Sequence, residues 1–417
     1  MGGRKAKTIK PRDGNMDNEQ FKTSLVAAVD WLIDVAQLQT DDLPLDTVNV
    51  SGLTHKFWKG AIRGEYSAAD KQWHFFCPVW HTGQAVKALV MAYKLLKDEK
   101  YHQAAIAGAQ FILNNQVWDE GSPDHGLILA FEDSPDKVNT SAVLECMHGL
   151  MLLADMESSE EMWKRIVSAG YFLLKKMFMP DLGLYRDVYD PNAHTVMLPN
   201  PYRSKDNVGG RPLLDDGIML KLYEWTGDEE FLSAHIRVSE TLAVDQDPPG
   251  NWLDYGPCNR QRGNFHPRQT YWWAIPLIDS YRKTGRKEFL DTAIASGEFC
   301  SKAMRQDGGY FRGYYTDGRT DSFGHATSGS ACSAILFMEL WKETRDSKWM
   351  DLAESALGFC QAVQFTNPQD PNLRGAILEK VLWPDGTDRS PYHIRDLGTI
   401  FFVIAGCRYL EFSDEDS

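Results

Sequence analysis

The sequence predicts an all-α fold, an (α/α)6 toroid of six inner and six outer helices. Three observations carry that expectation. Apolar residues recur at helical spacing along most of the chain. An aromatic–connector–aromatic motif repeats about every 60 residues, a period that points to an array of helical pairs. Short and long links between helices alternate.

The periodicity places helices at 18–39, 82–96, 99–115, 139–155, 160–177 and 212–226, and then at 228–242, 268–284, 286–304, 327–344, 347–363 and 395–411. The repeat is seen in "YKLLKDEKYHQAA", "YEWTGDEEFLSAH", "YRKTGRKEFLDTA" and "WKETRDSKWMDLA". In each, one helix ends in an aromatic turn and an aromatic (Tyr101, Phe231, Phe289, Trp349) opens the next; "MESSEEMWKRI" with Trp163 is a weaker copy. The links near 97–98, 156–159, 227, 285 and 345–346 are very short and demand antiparallel neighbours. Those at 40–81, 116–138, 178–211, 243–267, 305–326 and 364–394 are long, and long connectors inside a compact domain usually carry function. Strand-like alternation is rare; "GGYFRGYY" is at most one arm of a hairpin. Residues 1–16 read as a disordered basic lead, 17–412 as a single catalytic domain and 413–417 as an acidic tail.

Composition sets the outer limits. The 417 residues are 43% hydrophobic and 24% charged, ordinary globular values. Lys+Arg is 44 and Asp+Glu is 58, for a net charge of −14, which argues against nucleic acid or an anionic membrane as partner. No apolar run approaches the roughly 18–20 residues of a membrane span. Seven dispersed cysteines without a CxxC pair read as free thiols in a reducing compartment. The expected location is cytoplasmic, or periplasmic if a signal peptide has been removed. Oligomeric state is not encoded legibly.

In the toroid every long link leads into the first turn of an inner helix, where backbone N–H groups are free. Six such turns ring one cavity. They carry "PVWHTG" (Trp80, His81), "KVNTSA" (Asn139), "LLDDG" (Asp215, Asp216), "FHPRQTYWW" (His266, Arg268, Tyr271, Trp272), "FGHATSG" (His325) and "YHIRDLG" (His393, Arg395, Asp396). Aromatic, charged and imidazole groups together suit sugar binding by stacking and hydrogen bonding. Asp215 and Asp216 each fit a helix cap, but two adjacent carboxylates exceed what a cap needs, and mutual repulsion raises one pKa, as a general acid requires. Arg268 and Trp272, four apart, share a helical face. They are either a surface pair or a carboxylate clamp beside a stacking plate. Trp80–His81, Asp124–His125 and His325 fit no zinc signature, so no metal is expected. No GxGxxG, P-loop or GxSxG is present, which removes nucleotide and acyl-transfer chemistry, and no cofactor is expected.

Three segments resemble the unsaturated glucuronyl and unsaturated rhamnogalacturonyl hydrolases of glycoside hydrolase families 88 and 105. "LLDDGIMLKLYEWTGDEEFL" resembles the segment that carries their main catalytic aspartate; Asp216, with Met219 three on, takes that position and Asp215 is an extra. "PRQTYWWAIPLIDSYRKTGRKEFLDTA" resembles their Arg-Gly-Gln-x-Trp-Ala segment, which implies that Arg268 and Trp272 contact the sugar acid. "DSFGHATSGSACSAILFMEL" resembles their late Asp-Ser-Ser-Ala helix. Two positions depart from the pattern. Thr82 follows His81 where those families carry an Asp, and His325 replaces another Asp. A related clade, for instance one that cleaves saturated β-glucuronides, is therefore implied, with Asp124, Glu145 and Asp254 as candidates for a second carboxylate.

The expected function is a glycoside hydrolase that removes a terminal uronic acid from an oligosaccharide. Asp216, Asp215 and Asp124 are the catalytic candidates. Trp80, Trp252 and Trp272 are the stacking plates, and Arg211, Arg268 and Arg395 supply positive charge for the uronate. His81, His125, Asn139, Asp254, His266 and His325 complete the binding set. The alternatives are an epimerase of the N-acylglucosamine 2-epimerase type, with His266 and His325 as acid and base, and a polysaccharide lyase.

Overall fold

The structure is a computed structural model that describes residues 16–49, 52–132, 134–197, 209–380 and 392–415. The basic lead up to residue 15, the end of the acidic tail and the "PDG" turn at 384–386 lie outside the described residues. Among the described residues twelve α-helices follow in chain order: α1 (Asn18–Trp31), α2 (Pro78–Leu96), α3 (Glu99–Asn114), α4 (Thr140–Glu157), α5 (Glu160–Phe172) and α6 (Ile218–Thr226). Then come α7 (Glu229–Val244), α8 (Ile275–Thr284), α9 (Lys287–Ala303), α10 (Thr327–Thr344), α11 (Lys348–Ala362) and α12 (Leu397–Glu415). The even-numbered helices form an inner ring: α2 packs on α4, α8 on α10, α10 on α12, and α12 returns to α2. The odd-numbered helices form the outer ring. The toroid expected from the sequence is the fold observed.

The repeat has a physical cause. Four inner helices, α2, α6, α8 and α10, end with an N–H donated to the carbonyl of their terminal aromatic, from a residue with positive φ: Lys97 to Tyr93, Gly227 to Tyr223, Gly285 to Tyr281 and Arg345 to Trp341. That left-handed residue stops the helix, as a C-terminal cap does. Asp98, Ser159 and Asp228 then accept backbone N–H bonds and start the outer helices α3, α5 and α7. The aromatic three residues on (Tyr101, Phe231, Phe289, Trp349) is buried between the layers.

Two inner helices start differently from expectation. The third was expected as one helix from 212; instead Asp215–Gly217 form a 3-10 turn and α6 begins at Ile218. Asp216 (φ 52°) and Gly217 (φ 62°) are both left-handed, so the helix cannot run through them. The fourth opens with a π turn, Thr270–Ala274, in which Ile275 N–H donates to Thr270. Pro276 has no N–H to continue the ordinary ladder there.

Among the described residues, thirteen short strands lie outside the helices and form four small sheets. Phe311–Tyr315 pairs with Thr320–His325, so "GGYFRGYY" does supply a hairpin arm. Gly64–Ser67 pairs with Gln72–Phe75 and with His393–Arg395, setting Arg395 opposite Glu65. Strands of two to six residues carry too little alternation to be read from sequence. No described helix is long and apolar enough to cross a membrane. All seven cysteines are buried free thiols.

Candidate active site

The site starts from a close helix crossing. A β-carbon on Gly83 would sit 2.2 Å from the Cα of Cys146, and one on Gly149 would sit 2.2 Å from the carbonyl oxygen of Gly83. Glycines at both points let α2 and α4 touch backbone to backbone. Gln84 can then donate its side-chain amide to the Glu145 carbonyl at 2.6 Å. His81, Gln84 and Lys87 on α2, and Ser141, Glu145 and His148 on α4, form polar stripes that face the barrel lumen.

Arg268 enters from the opposite wall. Its guanidinium carbon lies 5.6 Å from the ring centre of Trp80 and 5.2 Å from that of Trp272. It is 7% exposed, and its Nε and Nη1 have no hydrogen-bond partner among the described residues. Two aromatic faces fix the plane of the guanidinium by cation–π attraction. The backbone N–H of Arg268 donates to His266 Nδ1 at 3.1 Å, and the His266 ring lies 4.9 Å from Trp272. Burial, then Arg268, Arg312 and Arg395, hold the His266 pKa well below the usual range, so this imidazole is neutral. The same three guanidiniums concentrate positive potential in a protein of net charge −14.

Two carboxyls share this end of the lumen. Burial pushes the Glu145 pKa well above the usual carboxylate range; the Asp215 charge adds to that and Arg268 opposes it. Burial pushes Asp215 up to about 7, against the pull of Arg211. Asp215 is 0% exposed with both oxygens unpaired, whereas Glu145 is 6% exposed with only Oε2 both buried and unpaired among the described residues. A carboxyl kept protonated near neutrality, next to an arginine with spare donors, can bind an anionic group and give it a proton.

Asp216 has different company. Its carboxylate lies 2.6 Å from Lys87 Nζ and 3.2 Å from His148 Nδ1, and it accepts from Tyr271 Oη–H and, at 3.3 Å, from Gln84 Nε2. Lys221 Nζ caps its main-chain carbonyl at 2.7 Å. Burial opposes ionisation, but Lys87 and His148 hold the carboxyl well below the usual range. Burial also lowers Lys87 to about 8 and His148 to about 3. Asp216 is thus an anion in a filled network, which is a poor starting state for a general acid.

Around the mouth most other charges are committed. Glu65 accepts from Arg395, from Lys380 at 2.8 Å and from His393 at 2.6 Å. Arg211 bonds Asp187 at 2.7 Å, Ser141 at 2.9 Å and the Gly256 carbonyl at 3.1 Å, so it ties connectors together. His81 Nδ1 meets Asp396 at 2.6 Å with both side chains fully buried. Arg312, lowered to about 10 by burial and then by Arg395, lies 3.5 Å from Glu379.

The sequence-predicted residues divide accordingly. Trp80, His266, Arg268 and Trp272 come together, and Asp215 joins them through its effect on Glu145. Asn139 is buried at the start of α4. Asp124 accepts from Tyr189 Oη–H and from His194 at 2.8 Å, so its oxygens are taken; His125 packs on Trp118, 4.8 Å away. Three others have different company. Trp252 is 0% exposed, donates to the Leu242 carbonyl at 2.8 Å and packs on Trp273, which leaves no face for a sugar. Asp254 is bound by Arg260 within its own connector. His325 rests against Arg305 at 3.3 Å and against Phe359 of the outer helix α11. Gln84, Lys87 and His148 were missed; their only sequence signal is the polar stripe on helices otherwise apolar or small.

No family profile matches the sequence, and no curated protein does. Solved structures do resemble it. A D-mannose isomerase superposes with a TM-score of 0.67 at 13% identity, covering 97% of this chain and 100% of that one. An unsaturated glucuronyl hydrolase specific for heparin gives 0.65 at 14% identity, covering 95% and 98%. A cellobiose 2-epimerase from Bacillus thermoamylovorans gives 0.67 at 12% identity, covering 94% and 99%. The shared property is the (α/α)6 barrel, which serves both hydrolases and epimerases of sugars.

Proposed function

We propose that this protein is a glycoside hydrolase that releases a terminal uronic acid from an oligosaccharide. The observation that carries the reading is Arg268: a buried guanidinium clamped between Trp80 and Trp272, with two unpaired N–H groups, beside a carboxyl kept protonated. A uronate would accept from Nε and Nη1 while its ring stacks on an indole. Glu145 is the proton donor. Burial keeps it protonated and the charge of Asp215 adds to that, while Asp216 holds the lumen together through Lys87.

The substrate that fits a single acid is a 4,5-unsaturated uronide. Glu145 gives its proton to C4 of the enol ether. Water adds at C5 and returns a proton to the carboxylate. The hemiketal so formed opens, the bond to the partner sugar breaks, and Glu145 is regenerated. Direct cleavage of a saturated β-glucuronide needs a second free carboxylate across the bond, and Asp124, Glu65 and Glu379 are already engaged.

The test is incubation with an unsaturated uronyl disaccharide, following loss of the ultraviolet absorbance of its conjugated double bond. Release of p-nitrophenol from the saturated β-glucuronide, with no action on the unsaturated sugar, would instead favour the two-carboxylate route. Sugar isomers formed without cleavage would favour the epimerase.

A further inference from the structure

At the opposite end of the barrel, where the inner helices finish, lies a cavity of about 480 Å³ that all six inner helices line. It is separated from the mouth by the Gln84–Tyr271–Asp216–Lys87 network, whose Asp216 and Lys87 form part of its wall. Its basic lining is Lys87, Lys94, Lys221, Arg282, Lys342 and Arg408.

Four acids in the same wall, Asp216, Asp279, Glu339 and Glu411, are outnumbered by these six bases. Glu339 is held by Arg282 at 2.8 Å, Arg408 at 3.1 Å and Lys342 at 3.2 Å, and Asp279 by Arg282 at 3.3 Å. One carboxylate thus meets three cations. Lys221 reaches only a main-chain carbonyl, and Lys94 has no carboxylate partner among the described residues. Helix C-termini favour cations, which accounts for Lys94, Arg282 and Lys342 in the last turns of α2, α8 and α10. It does not account for Lys221 and Arg408, which lie ahead of the last turns of α6 and α12, or for an open volume inside the usual ligand range of about 300–1,000 Å³. Met91, Leu152 and Ile275 add an apolar wall.

We propose that this second cavity binds a small polyanion, a phosphorylated or polycarboxylated molecule of monosaccharide size, at a site separate from the mouth. The anion is met by Lys94, Lys221, Lys342 and Arg408, and the apolar wall takes the carbon skeleton. The inference is independent of the reaction proposed above.

Calorimetric titration of the full chain at low salt with glucose 6-phosphate and with inorganic phosphate tests it. One-site binding of the sugar phosphate is expected, with no binding of glucose. A Lys221→Gln/Lys342→Gln double variant keeps hydrogen-bonding groups but loses two charges; it should bind at least tenfold more weakly with an unchanged melting temperature. Arg268→Gln, at the mouth, should leave this binding intact. The proposal is overturned by the absence of binding of either phosphate, by equal binding of glucose, by unchanged affinity in the double variant, or by loss of binding in Arg268→Gln.

Discussion

Lys87 and Asp216 form an ion pair of 2.6 Å deep in the barrel, with side-chain exposures of 1% and 6%. One end of that contact faces the second cavity, and Gln84 links the other to the main chain of Glu145. A buried pair contributes little net stability, but removing one partner strands a charge, at a cost of about 3–5 kcal/mol. Lys87→Met should therefore lower stability by that order in denaturant unfolding. The sign with pH follows from the depressed Asp216 pKa. Its contribution is present above the unfolded carboxyl value and is lost as pH falls through the folded one, so the difference between parent and Lys87→Met should shrink in acid.

Glu145→Gln should reduce turnover of an unsaturated uronide on the order of 10²–10⁴-fold, the usual weight of a general acid. Its melting temperature should hold or rise, because the substitution removes a buried ionisable group whose charged form burial disfavours. Asp216→Asn should show the reverse order of effects, with a large loss of stability. If Asp216→Asn abolishes turnover at parental stability while Glu145→Gln stays active, the acid has been misassigned.

Asp215, raised to about 7, is protonated in the folded chain at pH values where the unfolded chain is ionised. A raised carboxyl contributes stability that is complete below the unfolded pKa and is lost as pH rises to the folded one. Stability should thus decline between about pH 4 and pH 7 from this group. Asp215→Asn should flatten that decline and melt a few degrees higher than the parent at pH 8, on the order of 1–3 kcal/mol. Because Asp215 raises Glu145, the same variant should move the alkaline limb of the pH–rate profile to lower pH.

Arg268→Gln should raise KM for a uronide while leaving the fold intact, since Trp80 and Trp272 still pack on an amide. Comparison of the free acid with its methyl ester separates charge recognition from packing. The parent should prefer the acid strongly, and the variant should treat the two within a few-fold.

Gly83→Ala would press a methyl into Cys146 Cα at 2.2 Å. Overpacking of this kind typically costs about 1–3 kcal/mol. The shift of α4 that relieves the clash moves Glu145 away from Gln84, so turnover should fall more than stability alone explains, measured at a temperature where both proteins are folded.

The chain's own pattern determined the barrel. Periodicity and the Tyr93–Lys97–Tyr101 type of link act over a few residues, through helix caps and buried aromatics, so they can be read locally. Trp80, Arg268 and Trp272 were legible for the same reason: their chemistry is conspicuous at a helix start. Which carboxyl holds a proton was not. Asp215 and Asp216 are neighbours in the chain, yet one is isolated in apolar surroundings and the other faces Lys87, a residue 129 positions away. Glu145 owes its raised pKa first to burial and then to Asp215, in the turn that precedes the next inner helix, and Trp252 packs against Trp273. A pKa depends on burial and on charges brought close across the lumen, and those distances exist only once the ring has closed.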